Sequence, residues 1–124
     1  MKILLILLLT LFALPISVQA QDFDKTDKIF LAATQTMLIG DMLTTLDIAH
    51  DCRNGGSIYE TNPILGRCPS RTAVYGYFIG VSAATWLIAR ALPPTERKFF
   101  LGVVGVVEVG YVSHNLSMGL RFRF

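Results

Sequence analysis

Three long apolar stretches run along the chain, each bounded by residues that start or end a helix. Their spacing predicts helices over about residues 28–50, 72–92 and 96–119. Asn54-Gly55-Gly56 ends the first stretch and Pro93-Pro94 ends the second, because paired glycines and prolines continue a helix poorly. The sequence therefore predicts an all-α protein built from three helices.

A polar residue stands near the start of each predicted helix and is expected to cap it. These residues are Asp27, Ser70 and Thr95. Their side-chain oxygens are suited to accept hydrogen bonds from the unpaired N–H groups of a first helical turn. At the far end of the first helix, His50 and Arg53 complement the negative end of the helix dipole.

A further apolar run precedes the first helix and has the features of an export signal. Lys2 is followed by apolar residues 3–14, Pro15 breaks the run, and Val18-Gln19-Ala20 is a small-x-small cleavage site. This pattern predicts a cleavable secretory signal peptide over residues 1–20. The alternative is a retained membrane anchor, for which the run is short. The remaining residues, 21–124, are expected to form a single helical domain.

The second predicted helix favours a membrane over water as its surroundings. Residues 72–89 carry no charged side chain. At a rise of about 1.5 Å per residue they extend about 27 Å, close to the thickness of the hydrocarbon core of a bilayer. Tyr75, Tyr77 and Trp86 lie toward the ends of this segment, as aromatic residues do at membrane interfaces. A soluble three-helix bundle is the alternative, but so small a chain has no large core to cover a helix without a polar face.

The other two helices carry acidic residues in apolar surroundings. Asp41 and Asp47 would each cost about 2.5–3.5 kcal/mol at the centre of a membrane, so the first helix inserts poorly without partners. Glu108 lies in the middle of the third helix. Three glycines of that helix suit the close approach of a neighbour; they are Gly102, Gly105 and Gly110. We predict a three-helix membrane bundle after a cleavable signal peptide.

Composition and charge narrow the classes of function. The chain of 124 residues is 52% hydrophobic and 16% charged, which excludes a disordered protein. Eleven Lys and Arg stand against nine acids and are scattered along the chain, which excludes a polybasic nucleic-acid binder. The expected partners are membrane lipid and other membrane helices or a second copy, with no nucleic acid. The expected location is the bacterial inner membrane, with part of the chain in the periplasm.

Cys52 and Cys68 flank the connection between the first two helices, residues 51–71. In an oxidising compartment they would form a disulfide that stabilises the fold by about 3 kcal/mol; in the cytoplasm they would be free thiols. A cleaved signal peptide followed by three spans places this connection in the cytoplasm. The disulfide, which we favour, requires it to be outside, as it would be if the first helix lies on the membrane surface or re-enters. Lys and Arg are equally numerous on the two sides, so the positive-inside rule does not decide.

The same connection contains a sequence that predicts a shaped turn. Pro63 restricts Asn62 to an extended conformation. The Asn62 side chain is suited to bond its own backbone, and Gly66 permits a left-handed conformation. The structural interpretation is a turn that packs Ile64 and Leu65 against the bundle; the functional one has Glu60 and Asn62 lining a polar centre.

Several titratable residues are candidates for chemistry because they would meet between the first and third helices. The candidate catalytic residues are Asp41, Asp47, Glu60, Glu108 and His114. Carboxyl groups and an imidazole in one centre are suited to relay protons or to act as general acid and base. A divalent metal is a candidate cofactor, and its candidate ligands are Asp47, His50, Glu108 and His114. Their spacing matches no recognised ligand motif, and the alternative is that the acids only join helices by hydrogen bonds.

The run Glu60-Thr61-Asn62-Pro63-Ile64-Leu65-Gly66, followed by Pro69-Ser70, resembles an E-x-N-P-x-L-G…P-S element. Small membrane-associated proteins of Gram-negative bacteria and phages contain it, together with a signal peptide and an Asp and a Thr late in the first helix. Further matches over residues 40–124 are Asp41 or Asp47 with Thr44 and Thr45, Leu92-Pro93 with Arg97, Glu108, His114-Asn115 and Gly119-Leu120-Arg121-Phe122. No activity is established for these proteins, so the resemblance implies membrane association and no reaction.

Three hypotheses for function follow from these patterns. The first is a small integral membrane protein with a structural or accessory role and a polar cluster inside the membrane. The second is a membrane enzyme, or a protein that handles ions or protons, using the candidate acids and His114. The third is a holin-like or superinfection protein of phage type, for which intramembrane acids are unusual.

Overall fold

The computed structural model describes residues 22–124, which form three α-helices and contain no strand. These are α1 (Lys25–Arg53), α2 (Arg71–Ala91) and α3 (Pro94–Ser117). The all-α prediction is confirmed, and each helix boundary lies within three residues of the predicted one. The predicted signal peptide, residues 1–20, lies outside the described residues.

At the N-termini of the helices, two of the three predicted capping residues are wrong. α1 begins a turn early because Asp24, not Asp27, is its N-cap. The two residues form a reciprocal capping box, in which each carboxylate accepts a hydrogen bond from the backbone N–H of the other. Ser70 caps α2 as predicted. α3 begins at Pro94 without a side-chain cap, so Thr95 lies inside its first turn; a proline there has no N–H that needs a partner.

α1 is the central helix of the bundle. It packs most extensively against α3 and less against α2, whereas α2 and α3 touch least although they are consecutive in the chain. α1 and α3 run parallel, because Asp27 meets Arg97 near their starts and Thr44 meets Asn115 near their ends. Most of the buried residues of the bundle belong to α1; they are Asp27, Thr34, Leu38, Thr44, Thr45, Leu46, Ile48 and Ala49.

All three helices are long and apolar enough to cross a membrane. The two flanking helices leave large apolar side chains exposed; in α2 and α3 these are Tyr75, Ile79, Trp86, Leu87, Phe99, Val103, Val106, Val107, Val109, Tyr111 and Leu116. Gly105 faces α1 closely, since a Cβ atom there would lie 3.4 Å from the Thr34 hydroxyl, whereas Gly110 faces open space. The predicted close approach of α3 to a neighbour therefore applies to Gly105 and not to Gly110.

One end of the bundle, the loop end, comprises residues 51–71 and 117–124. Cys52 and Cys68 lie at disulfide distance there, with their Cα atoms 5.7 Å apart. Asn62 shapes the turn in the connection: its side-chain oxygen accepts a hydrogen bond from the Ile64 N–H at 3.0 Å, and Gly66 takes a positive φ of 73°. The opposite end, the turn end, comprises residues 22–27 and 90–98.

Candidate functional site

Polar side chains recur along the contact between α1 and α3. Near the middle of this contact, Asp41 of α1 accepts a hydrogen bond at 3.1 Å from the side-chain amide of Asn115. The same amide donates at 2.9 Å to the Thr44 hydroxyl, which in turn donates to the Asp41 carbonyl. Asn115 is only 7% exposed, so this network closes the loop-end side of Asp41.

Glu108 of α3 lies against Asp41, with the two carboxyl groups in range of a hydrogen bond to each other. The Oε2 atom of Glu108 is buried and has no hydrogen-bond partner among residues 22–124. An ionised carboxylate only accepts hydrogen bonds, so a bond between these two groups exists only when one of them carries a proton. This arrangement is compatible with one proton held between the two acids.

The loop end contributes a second set of polar groups to this pair. The Tyr77 hydroxyl of α2 lies near the Asn62 side chain and in the electrostatic range of Asp41 and Glu108. The carboxylate of Glu60, which accepts hydrogen bonds from the Thr61 and Asn62 N–H groups, acts on Asp41 from the connection. We call Asp41, Thr44, Glu60, Asn62, Tyr77, Glu108 and Asn115 together the polar cluster.

Two of the candidate catalytic residues lie outside the polar cluster. Asp47 is bound by the C-terminal segment, where it accepts hydrogen bonds at 2.8 Å from the Arg121 N–H and from the Arg123 guanidinium. His114 is exposed on α3. The predicted meeting of Asp47 and His114 with Glu108 therefore does not occur. Each is six residues from a cluster acid, which on a helix rotates its side chain by about a third of a turn away.

The candidate metal ligands are also separated in the structure. His50 lies near the end of α1, where its ring is 3.1 Å from the Asn54 side-chain amide, and neither it nor His114 approaches Glu108. Over residues 22–124, no three His, Cys, Asp or Glu side chains are placed to hold a metal ion.

The turn end holds a buried ion pair that the sequence patterns did not reveal. The Arg97 guanidinium bonds the Asp27 carboxylate and the carbonyls of Ala89 and Leu92, and both charged side chains are almost completely buried. It also stacks on the Phe23 ring, with 4.7 Å to the ring centroid. A signal was present in the sequence, because Asp27 and Arg97 have the same sequence separation, to within three residues, as Asp41 and Glu108. Two parallel helices that bring Asp41 to Glu108 therefore also bring Asp27 close to Arg97.

Exposed charges surround this buried pair. Lys98 lies 2.9 Å from the Asp24 carboxylate and 3.9 Å from Asp27. The backbone hydrogen bond from Asp27, together with the Lys98 ammonium, holds the pKa of Asp24 below its usual range. The capping residue of α1 is therefore charged at all but acidic pH.

Tyr77 is the cluster member whose role the sequence did not indicate. Its position in an uncharged helix predicts an aromatic residue at a membrane interface, and only the fold brings its hydroxyl to Asn62.

Compared with known proteins, the chain matches no family model, no curated protein and no solved structure.

Proposed function

We propose that this chain is a small integral membrane protein of three spans in which the Asp41–Glu108 pair takes up and releases a proton. The observation that carries the proposal is the pair itself, two carboxyl groups in contact between helices with one buried oxygen left without a partner. Ionisable residues inside membrane helices are costly and are therefore associated with ion and proton pathways.

The apolar outer faces of α2 and α3 support membrane integration. α2 and α3 expose large aliphatic and aromatic side chains on their outer faces, while the more polar α1 lies between them. Water would make this arrangement costly at about 25 cal/mol for each Å² of exposed apolar surface, whereas lipid would not. The chain is thus proposed to reside in a bacterial inner membrane after export by residues 1–20.

Access to the carboxyl pair is proposed from the loop end. Tyr77 lies six residues after the first residue of α2, about 9 Å along the helix. Asn62 and Glu60 continue the polar groups from Tyr77 to the surface of the connection. These polar groups are proposed to let water reach the carboxyl pair from the loop end, and the pair exchanges its proton with that water.

The proposed proton is tested by infrared titration of the purified protein in detergent. The absorption band of a protonated carboxyl group is expected at neutral pH, where exposed carboxyl groups are ionised. It is expected to be lost in both Asp41→Asn and Glu108→Gln, because the remaining acid no longer faces a second carboxyl group and ionises. Glu96→Gln is the matched control, because Glu96 is an exposed acid in the first turn of the same helix. An unchanged band in both cluster variants contradicts the proposal.

A structural or accessory role is the second candidate, and the hydrogen bonds of Asn115 to Asp41 and Thr44 favour it. Under that role the polar cluster only joins α1 to α3. Glu108→Gln would then alter folding or assembly, and the wild-type protein would show no protonated-carboxyl band at neutral pH. The infrared experiment therefore separates the two candidates.

The compartment of the loop end is tested together with the signal peptide. A cleaved signal peptide and three spans would place Cys52 and Cys68 in the cytoplasm, but their pairing distance favours an oxidising compartment. The intact mass of the chain isolated from cells, measured before and after alkylation without reductant, gives both answers at once. Two alkylated thiols would overturn the disulfide, and a mass that includes residues 1–20 would overturn cleavage.

A further inference from the structure

The acids of the loop end are bound by the protein itself. Asp47 accepts hydrogen bonds from Arg121 and Arg123. Asp51 accepts one at 3.1 Å from the Ile58 N–H, and Glu60 accepts two from the backbone of the turn. All three side chains are half-buried. Their charges are thus directed inward, toward N–H groups or a neighbouring guanidinium.

The cations of the loop end are exposed except for Arg123, which is paired with Asp47. All of them are arginines, whereas the three described lysines lie elsewhere, toward the turn end. Those that are exposed and form no ion pair within residues 22–124 are Arg53, Arg67, Arg71 and Arg121. An end with inward acids and outward guanidinium groups presents a positive surface suited to phosphate, which arginine binds through paired N–H groups.

Three of these arginines lie at or near the paired cysteines in the chain. Arg53 follows Cys52 and Arg67 precedes Cys68, so both are neighbours of the cysteine pair. Arg71 is the first residue of α2, where the positive end of the helix dipole disfavours a cation unless an anion is close. These three residues, which we call the arginine face, form no ion pair with an acidic side chain within residues 22–124, although Arg71 donates a hydrogen bond to the main-chain oxygen of Phe124.

Apolar side chains beside the arginine face indicate that this anion belongs to a lipid. Arg67 stacks on Tyr59, with 4.5 Å to the ring centroid, and Ile64 is 76% exposed on the same connection. Phe122 and Phe124 are exposed in the C-terminal segment, and the main-chain oxygen of Phe124 accepts a hydrogen bond from Arg71. Aromatic side chains mixed with arginines are typical of the headgroup level of a membrane.

We propose that the arginine face binds the phosphate groups of anionic phospholipids in the leaflet at the loop end. This inference rests on the membrane integration proposed above and is independent of the proton at Asp41 and Glu108. The binding site for the headgroup is the surface formed by Arg53, Arg67 and Arg71, with Tyr59 and Ile64 reaching the acyl boundary.

The test compares phosphatidylglycerol with phosphatidylcholine added to the detergent-purified full chain, with bound lipid counted by native mass spectrometry. The variant Arg53→Gln/Arg67→Gln/Arg71→Gln is expected to bind phosphatidylglycerol about 100-fold more weakly than wild type. The matched control Lys25→Gln/Lys28→Gln/Arg90→Gln removes the same charge from exposed residues nearer the turn end and is expected to keep wild-type binding.

Three results would overturn the proposal: equal binding of the two lipids by wild type, equal loss in both triple variants, or full displacement of the lipid by inorganic phosphate. Each leaves the infrared titration of the carboxyl pair unaffected. A failure of the lipid proposal is therefore distinguishable from a failure of the proposed proton site. A chain that needs no detergent would instead overturn the membrane integration on which both depend.

Discussion

The contact between α1 and α3 contains two charged pairs of opposite design. At the turn end, Arg97 and Asp27 carry opposite charges, and the guanidinium also bonds backbone carbonyls. Midway along the same contact, Asp41 faces Glu108, an acid facing an acid, and one oxygen has no partner. Each pair leaves one buried carboxylate oxygen without a hydrogen-bond partner among residues 22–124, Asp27 Oδ1 or Glu108 Oε2, but only in the first pair does a cation balance the acid. The first pair is therefore suited to hold the helices together, and the second is the one that we propose takes up a proton.

The largest effect is expected from breaking the oppositely charged pair of Arg97 and Asp27. Arg97→Met leaves the Asp27 carboxylate buried without its partner, which costs about 3–5 kcal/mol of the free energy of unfolding. Glu108→Gln, the corresponding change in the other pair, keeps the side-chain shape and supplies a donor for Asp41, so a change below about 1 kcal/mol is expected. Denaturant unfolding in detergent measures both, and equal losses in the two variants would contradict the distinction.

The next largest effect concerns the cysteines of the loop end. Their sequence separation is 16, and a disulfide that closes a loop of this size stabilises by about 3 kcal/mol in the chain-entropy model. Cys52→Ser/Cys68→Ser is expected to lose about that much stability. Reductant should lower the stability of wild type to that of the double variant, and a wild type indifferent to reductant would contradict the disulfide.

A smaller effect is expected at the amide that closes the polar cluster. Asn115→Ala removes the donor to Asp41 and Thr44, and leaving such buried groups unsatisfied costs about 1–3 kcal/mol. Ser117→Ala is a suitable control, because its hydroxyl bonds only its own helix at an exposed position. Thermal unfolding should separate the two variants, and similar midpoints would show that Asn115 does not join the helices.

The smallest effect is expected from pH at the capping residue of α1. The pKa of Asp24 is lower in the folded protein than in the unfolded chain, where it is about 3.9. The charged cap thus stabilises the helix above that value, and the contribution is lost as the pH falls through the lower, folded pKa. Asp24→Asn still caps the helix but does not titrate, so its stability should fall less below about pH 4. An identical acid dependence in wild type would be evidence against this role.

The sequence predicts the helices well because their signals are local. Asn54-Gly55-Gly56, Ser70 and Pro93-Pro94 act through backbone preferences that need no tertiary structure, and they bound the observed helices closely. The capping residue of α1 was predicted one turn too late, since Asp24 and Asp27 are both suitable caps. The side chain of Asp27 is needed by Arg97 as well as by the capping box.

The place of α1 could not be predicted from its own residues. Asp41 and Asp47 make it the poorest candidate for insertion alone, and a disulfide at an outer loop end would require it to lie on the membrane surface or to re-enter. The structure places it in the centre, where Glu108, Asn115 and the C-terminal segment face its polar residues. A polar helix becomes tolerable when two apolar helices surround it, and that arrangement depends on the whole chain.

The polar cluster was predicted in part for the same reason. Helical spacing places Glu108 and Asn115 on one face, and both meet Asp41. Spacing cannot reveal which face of α1 they meet, so Asp47 was an equal candidate until the structure showed it bound to Arg121 and Arg123. Contacts between distant segments, such as Tyr77 with Asn62, leave no periodic signal.

Membrane integration is the central claim, because it makes the acids costly and the outer faces of α2 and α3 acceptable. It is tested most directly by exchanging the purified chain from detergent into plain buffer and measuring its size distribution by light scattering. We predict aggregation or precipitation, reversed by readdition of detergent or lipid. A stable, monodisperse species without detergent would contradict the claim.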